Sequence, residues 1–378
     1  MKRKNSLQQK HVVSIALAVI MLLLVNLGVK AREPLATAYT IEDLGSFGDE
    51  TRANDINDSG QVVGYWHVAS TASAHAFRFT DGVGLVDLNQ IANEHNAYST
   101  GINNSGQVSG IADRSGGGGG YHVFRYTDGI GLVDLGSLPG YRFSFIGAIN
   151  DSGQVVGYAY GATNGPDVIR AFRFTNGVGM QNIGTLGRGS TALSINNFGQ
   201  VVGFSEVATT PANDEWNPGH AFLYTDCMGM QDLNNLIDPS LGWELRQASA
   251  INDKRQIVGF GEHIGSGLHA FLYTDGAVQD LGTFPGGGIS YALDINDKGD
   301  VVGAAYLDPT GAGNFRAMLY TRSRGMQNLN DLIDPSLGWV LRRATGINER
   351  GQIAGWGYLN GLEHAFRLTP INPDRESR

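Results

Sequence analysis

An Ile-Asn pair followed by a short turn and an apolar run recurs seven times, with its asparagine at 57, 103, 150, 196, 252, 296 and 348. Successive copies lie 46, 47, 46, 56, 44 and 52 residues apart. Self-similarity at such a period means one structural unit repeated, each copy burying its apolar face against the next. Three blocks recur inside every period. They read like Ile149-Asn150-Asp151-Ser152-Gly153-Gln154-Val155-Val156-Gly157, His75-Ala76-Phe77-Arg78-Phe79-Thr80-Asp81-Gly82 and Gly131-Leu132-Val133-Asp134-Leu135-Gly136.

Each block translates into strand and turn physics. Asn-Asp-Ser-Gly suits a tight turn, because glycine adopts positive φ without a β-carbon clash. Val155 and Val156 are β-branched and suit a strand buried on both faces. Phe77 and Phe79 lie two apart and share a face of the next strand. One period therefore predicts four short antiparallel strands, the signature of a β-propeller blade. The chain starts on an orphan fourth strand, Tyr39 to Gly45, and ends on a third strand, His364 to Thr369. Joining them closes the ring and removes exposed strand edges. The expectation is an all-β, seven-bladed propeller spanning 39–369, with a polar tail over 370–378.

Composition agrees. Glycine supplies 54 of 378 residues and charged residues only 17%, without the long Ala/Glu/Lys/Leu runs of a helical bundle. Lys2, Arg3 and Lys4 precede an apolar stretch from Val12 to Val29, and Val29-Lys30-Ala31 offers small or moderate residues where a signal peptidase reads. Residues 1–31 thus resemble a secretory signal peptide, with a second cleavage point after Ala38. An uncleaved anchor is the alternative; after cleavage no stable membrane insertion is expected. Without the leader, 22 basic residues face 36 acidic ones. So acidic a surface repels phosphates, which argues against a nucleic-acid partner. Cys227 is the sole cysteine, so no intrachain disulfide forms, and it occupies a turn position where other repeats place glycine.

The alternation of Ile-Asn-x-x-Gly-Gln-Val-Val-Gly, His-Ala-Phe and Asp-Leu-Gly resembles the HAF-type extracellular repeat proteins of bacteria. His-Ala-Phe stands at 75–77, 220–222, 269–271 and 364–366. The near-twin segments Leu233 to Trp243 and Leu329 to Trp339 share the same likeness. The resemblance implies export and a repeat fold, and carries no catalytic residues with it. Blades three and six depart from it, with Arg170 and Arg316 in place of histidine.

Candidate chemistry is sparse. Histidines 75, 122, 220, 269 and 364 occupy equivalent places, but arginine fills the other two and cannot ligate a metal. A hydrogen-bond donor role, for example toward a neighbouring blade's carbonyl, serves both residue types. Asp55 to Gly60 has the oxygen spacing of a calcium loop, yet Phe198, Lys298 and Arg350 fill its fifth position elsewhere. It reads as a hairpin turn. There is no nucleophile elbow, Cys-x-x-Cys pair, zinc helix or phosphate loop, so neither metal nor cofactor is expected.

One column varies from blade to blade. Three residues after the glycine of each Val-Val-Gly block stand His67, Asp113, Tyr160, Glu206, Glu262, Tyr306 and Tyr358. A structural role repeats one residue type, whereas an asymmetric ligand needs different groups at equivalent places. Tyrosine faces suit sugar rings and carboxylates suit hydroxyls, so this column is expected to line a rim or channel mouth. Trp216, beside Asp214 and Glu215 in a long loop, is a further contact candidate. The reading is a binding module for an extracellular ligand, glycan or protein. Two alternatives stay open: a glycan hydrolase or lyase using Glu206 and Glu262 with Tyr160 or His67, and a structural surface protein.

Overall fold

The computed structural model describes residues 38–45, 50–68, 70, 73–89, 96–113, 120–163, 168–207, 219–311 and 313–371. Residues 1–31, read above as a signal peptide, most of the glycine run 116–120, Trp216 and the tail beyond 371 lie outside these. Seven four-stranded antiparallel sheets form the ring. Blade one is typical, with strands Glu50–Ile56, Val62–Val68, Ser73–Thr80 and Gly84–Asp87. Blades two to seven begin at the strands Ala97–Ile102, Tyr141–Ile149, Ser190–Ile195, Trp243–Ile251, Ser290–Ile295 and Trp339–Ile347. These first strands touch one another all round the ring and so surround the central channel. The strand Tyr39–Gly45 pairs antiparallel with Leu362–Pro370 and completes blade seven. Among the described residues, no helix is long and apolar enough to cross a membrane.

The core is split into seven clusters, one in each interface between blades. Phe77, Phe124, Phe172, Phe222, Phe271 and Phe366 are fully buried at one equivalent place, with Met318 in blade six. Each such side chain contributes about 2–3 kcal/mol of burial. Across the strand pair each faces the glycine of the Val-Val-Gly block, as Phe77 faces Gly64 and Phe222 faces Gly203. A β-carbon on Gly64 would overlap the Arg52 carbonyl oxygen and press on the Phe77 ring. That glycine is there for close approach.

The Ile-Asn turn couples the blades. Asn57 Nδ2 donates to the carbonyl of Asn103 at 3.0 Å, and Asn103 donates likewise to Asn150. The series continues through Asn196, Asn252, Asn296 and Asn348, which returns to the Asn57 carbonyl at 2.9 Å. A second ring lies beside it. The N–H of Asp58 donates to Asn104 Oδ1, and the pattern passes through Asp151, Asn197, Asp253, Asp297 and Glu349 back to Asp58. Both rings run in the same sense and close.

The near-twin segments 233–243 and 329–339 each form two short 3-10 turns whose apolar residues join the core: Leu233 and Ile237 in one, Leu329, Leu332 and Ile333 in the other. The Leu332 carbonyl accepts the N–H of Ala38 at 2.9 Å and of Tyr39 at 3.1 Å, holding the closing strand. Ile371 N–H donates to Ala38 O at 2.9 Å, so the described chain enters and leaves at one corner.

Candidate functional site

Strand direction gives the ring two unlike faces. The Ile-Asn turns gather on one, the repeat face, around a cavity of about 370 Å³ lined by Ile, Asn and Asp, Asn or Glu from all seven blades. Its Asn and acidic side chains are bonded to the backbone of the neighbouring blade's turn in the two rings, so this mouth is a structural joint. Just inside it stand Asp55 and Asp294, where the other blades carry Gly101, Ala148, Ser194, Ala250 and Gly346. Asp55 accepts from the N–H of Ile56 at 2.8 Å and of Ile102 at 2.9 Å; Asp294 accepts from that of Ile347 at 2.8 Å. Burial pushes Asp55 up to about 7. Burial, and then the Asp55 charge, push Asp294 up to about 8.

The opposite, variable face holds the column singled out above, since the second strands end there. The column does not converge on one point. Each member is engaged within its own blade or by an adjacent segment. His67 packs edge-on against Tyr65, and Asp113 accepts from Asn96 N and Nδ2, both at 2.9 Å. Tyr160 stacks on Phe143, Glu206 faces Arg188 at 3.5 Å, and Arg342 lies over the Tyr358 ring. Only Glu262 and Tyr306 share a described cavity. It is a groove of about 890 Å³ between blades five and six, lined also by Trp243, Glu244, His263 and Tyr291. Arg246 bridges Glu244 and Glu262, at 3.0 Å to each.

The histidines have a different partner from the one expected. His75, His122, His220, His269 and His364 reach a carboxylate of their own sheet: Asp87, Asp134, Asp232, Asp280 and Asp43. A neighbouring blade's carbonyl is not involved. Where Arg170 and Arg316 replace histidine, Asn182 and Asn328 replace the aspartate, and each arginine donates to nearby oxygens instead. At His220 the hydrogen bond donated to Asp232 raises the imidazole pKa against the opposing effect of burial.

A cationic pair, unmarked by any motif, completes the inner part of this face. Arg52 and Arg343 occupy the same register on the first strands of adjacent blades, opposite Tyr65 and Trp356. Arg52 is held by Glu363 at 2.6 Å and lies over the Trp356 ring. Arg343 sits mid-strand at the centre of the ring yet is exposed, which only the channel allows. Among the described residues it has no hydrogen-bond or ion-pair partner. Burial among protein atoms and the Arg52 charge lower its pKa, and Tyr291, Tyr306 and Tyr65 lie within electrostatic reach. Tyr291 and Tyr306 also line the groove.

A family model described as "Protein of unknown function (DUF3466)" matches residues 140–240. No curated protein sequence matches the chain. Among solved structures, a puromycin-hydrolysing peptidase of Mycobacterium tuberculosis aligns at TM-score 0.51 and 10% identity, over 88% of this chain and 56% of that one. TolB of Acinetobacter baumannii aligns at 0.46 and 10%, over 82% and 64%. AofleA of Arthrobotrys oligospora aligns at 0.40 and 11%, over 88% and 91%. The chain spans less than two thirds of the peptidase and TolB chains. At such identity the likeness is one of fold, a β-propeller.

Proposed function

We propose that the protein is an exported propeller that binds an extracellular ligand on its variable face, in the groove between blades five and six. The contrast between the faces carries this reading. On the repeat face every blade makes the same two bonds, whereas on the other face equivalent positions hold His67, Asp113, Tyr160, Glu206, Glu262, Tyr306 and Tyr358. Fold maintenance has no use for that variety. The groove combines aromatic faces at Tyr291 and Tyr306 with acceptors for hydroxyls at Glu244 and Glu262, and both tyrosines lie within electrostatic reach of the channel cation Arg343. This mixture suits a saccharide bearing a negative group. Export is supported by the leader 1–31 and by the likeness to HAF-type repeats.

The test is a glycan array probed with the protein lacking residues 1–31, with neutral and acidic glycans side by side. Specific binding that Glu262→Gln and Tyr306→Ala each weaken at least tenfold, with melting temperature unchanged, supports the reading. A blank array from folded protein would favour a protein partner or a purely structural role. Any glycan bound is then assayed for cleavage, which separates a binding module from an enzyme using the same carboxylates.

A further inference from the structure

We propose that His263, His269 and Asp280 of blade five form a binding site for a divalent transition-metal cation, with Zn²⁺ the best-suited occupant. Five blades pair a histidine at the head of the third strand with an aspartate of the fourth, at 2.6–3.1 Å. That pair alone is a structural clip. Blade five adds a second imidazole. His263 ends the second strand Ile257–His263, at a place filled by Val68, Gly161, Val207, Leu307 and Leu359 in other blades.

Its position is fixed and its chemistry is unfinished. The imidazole stacks on Trp243, with ring centroids 4.6 Å apart and planes 11° apart. Its Nδ1 is buried without a hydrogen-bond partner, and Asp280 Oδ2 stands 3.5 Å away. His269 Nδ1 lies 2.9 Å from the same oxygen, and the three donor atoms all fall within 4.8 Å of one another. Ligands about 2.0–2.2 Å from a tetrahedral zinc ion lie roughly 3.3 Å apart, and 2.9 and 3.5 Å bracket that spacing. Two imidazoles and one carboxylate suit zinc, copper or nickel better than calcium or magnesium, which prefer all-oxygen shells. Both imidazoles would present an Nδ1 lone pair to the ion. His263 also lines the groove. The site requires no glycan and stands whether or not the groove binds one.

The experiment is calorimetric titration of the chelator-treated protein, free of any polyhistidine tag, with Zn²⁺, repeated with Co²⁺ while recording its visible absorption. One ion per chain at pH 7.5, with a Kd at or below about 10 µM, is expected. His263→Leu restores the residue that blades six and seven carry there, so it should keep the apo melting temperature. It should weaken Zn²⁺ binding at least tenfold. His75→Gln, which breaks the clip of blade one, should leave binding intact. No heat and no cobalt spectrum from folded wild-type protein would overturn the proposal. Binding unaffected by His263→Leu would overturn it equally, by placing the ion elsewhere.

Discussion

Asn348 Nδ2 donates to the carbonyl oxygen of Asn57, 291 residues away in sequence, at 2.9 Å. The same asparagine donates to Gln352 Oε1 and accepts the N–H groups of Arg350 and Gln352, so one buried side chain forms its own turn and closes the ring. Asn348→Ala leaves a buried carbonyl without its donor and the turn without its acceptor. We expect a loss of about 2–3 kcal/mol in urea unfolding, against no more than about 0.5 kcal/mol for an exposed polar substitution such as Ser59→Ala. Equal effects would mean the ring of asparagines adds nothing beyond local turns.

Glycine serves two distinct purposes in the repeat, and substitutions separate them. At Gly203 a β-carbon would overlap the Thr191 carbonyl oxygen, so Gly203→Ala is expected to cost about 3 kcal/mol or more. In the turns the need is for positive φ, as at Gly60 with φ 81°. Blade five places Arg255 there, at φ 63°. Arg255→Gly should therefore stabilise the protein by about 0.5–1 kcal/mol, measured as a raised urea midpoint.

The channel aspartates give stability a pH dependence of unusual sign. Their folded-state pKa values, about 7 and about 8, lie above the ordinary 3.8. Between about pH 4 and pH 8 the folded chain therefore holds protons that the unfolded chain has released. Their contribution is fully present near pH 4 and falls away as pH rises through 8. Asp294→Asn keeps an acceptor for the Ile347 N–H without the charge. It should raise the melting temperature at pH 9 by the equivalent of roughly 1–2 kcal/mol and change it little at pH 5. A uniform shift at both pH values would contradict this assignment.

An unpaired guanidinium inside the ring should trade stability for binding. Arg343→Met removes a charge that makes no ion pair among the described residues and keeps the length of the side chain. Its melting temperature is expected to match or exceed that of the wild type. Sulfate at constant ionic strength should stabilise the wild type and not the variant, because an anion bound only by the folded state shifts its melting upward. Equal responses in both proteins would remove Arg343 from the proposed site.

The architecture was legible because alternation with period two and recurrent turns are local signals. Even the closing strand follows from them: Tyr39–Gly45 has the bounds read from the orphan Asp-Leu block. The two rings were hidden in plain view. Asn57 and its six counterparts read as turn formers, although a turn alone would accept aspartate or glycine at some of the seven places. Pairing of His75 with Asp87 was similarly readable, since Arg170 and Arg316 come with Asn182 and Asn328. Arg52 and Arg343 carried no motif. They meet only because strand register sets them side by side on neighbouring blades, and no spacing along the chain records that. Nor could spacing tell that Glu262 and Tyr306 border one groove while Glu206 faces Arg188.

The corner where Ala38 and Ile371 meet also gives the ring an orientation. Tyr39 pairs with Pro370 at the repeat-face end of blade seven, on the outer edge. Whatever is joined to either end of the ring is therefore moored at the rim of the uniform face. The groove and the three-donor cluster of blade five open on the opposite face, so both described ends of the ring stand clear of them.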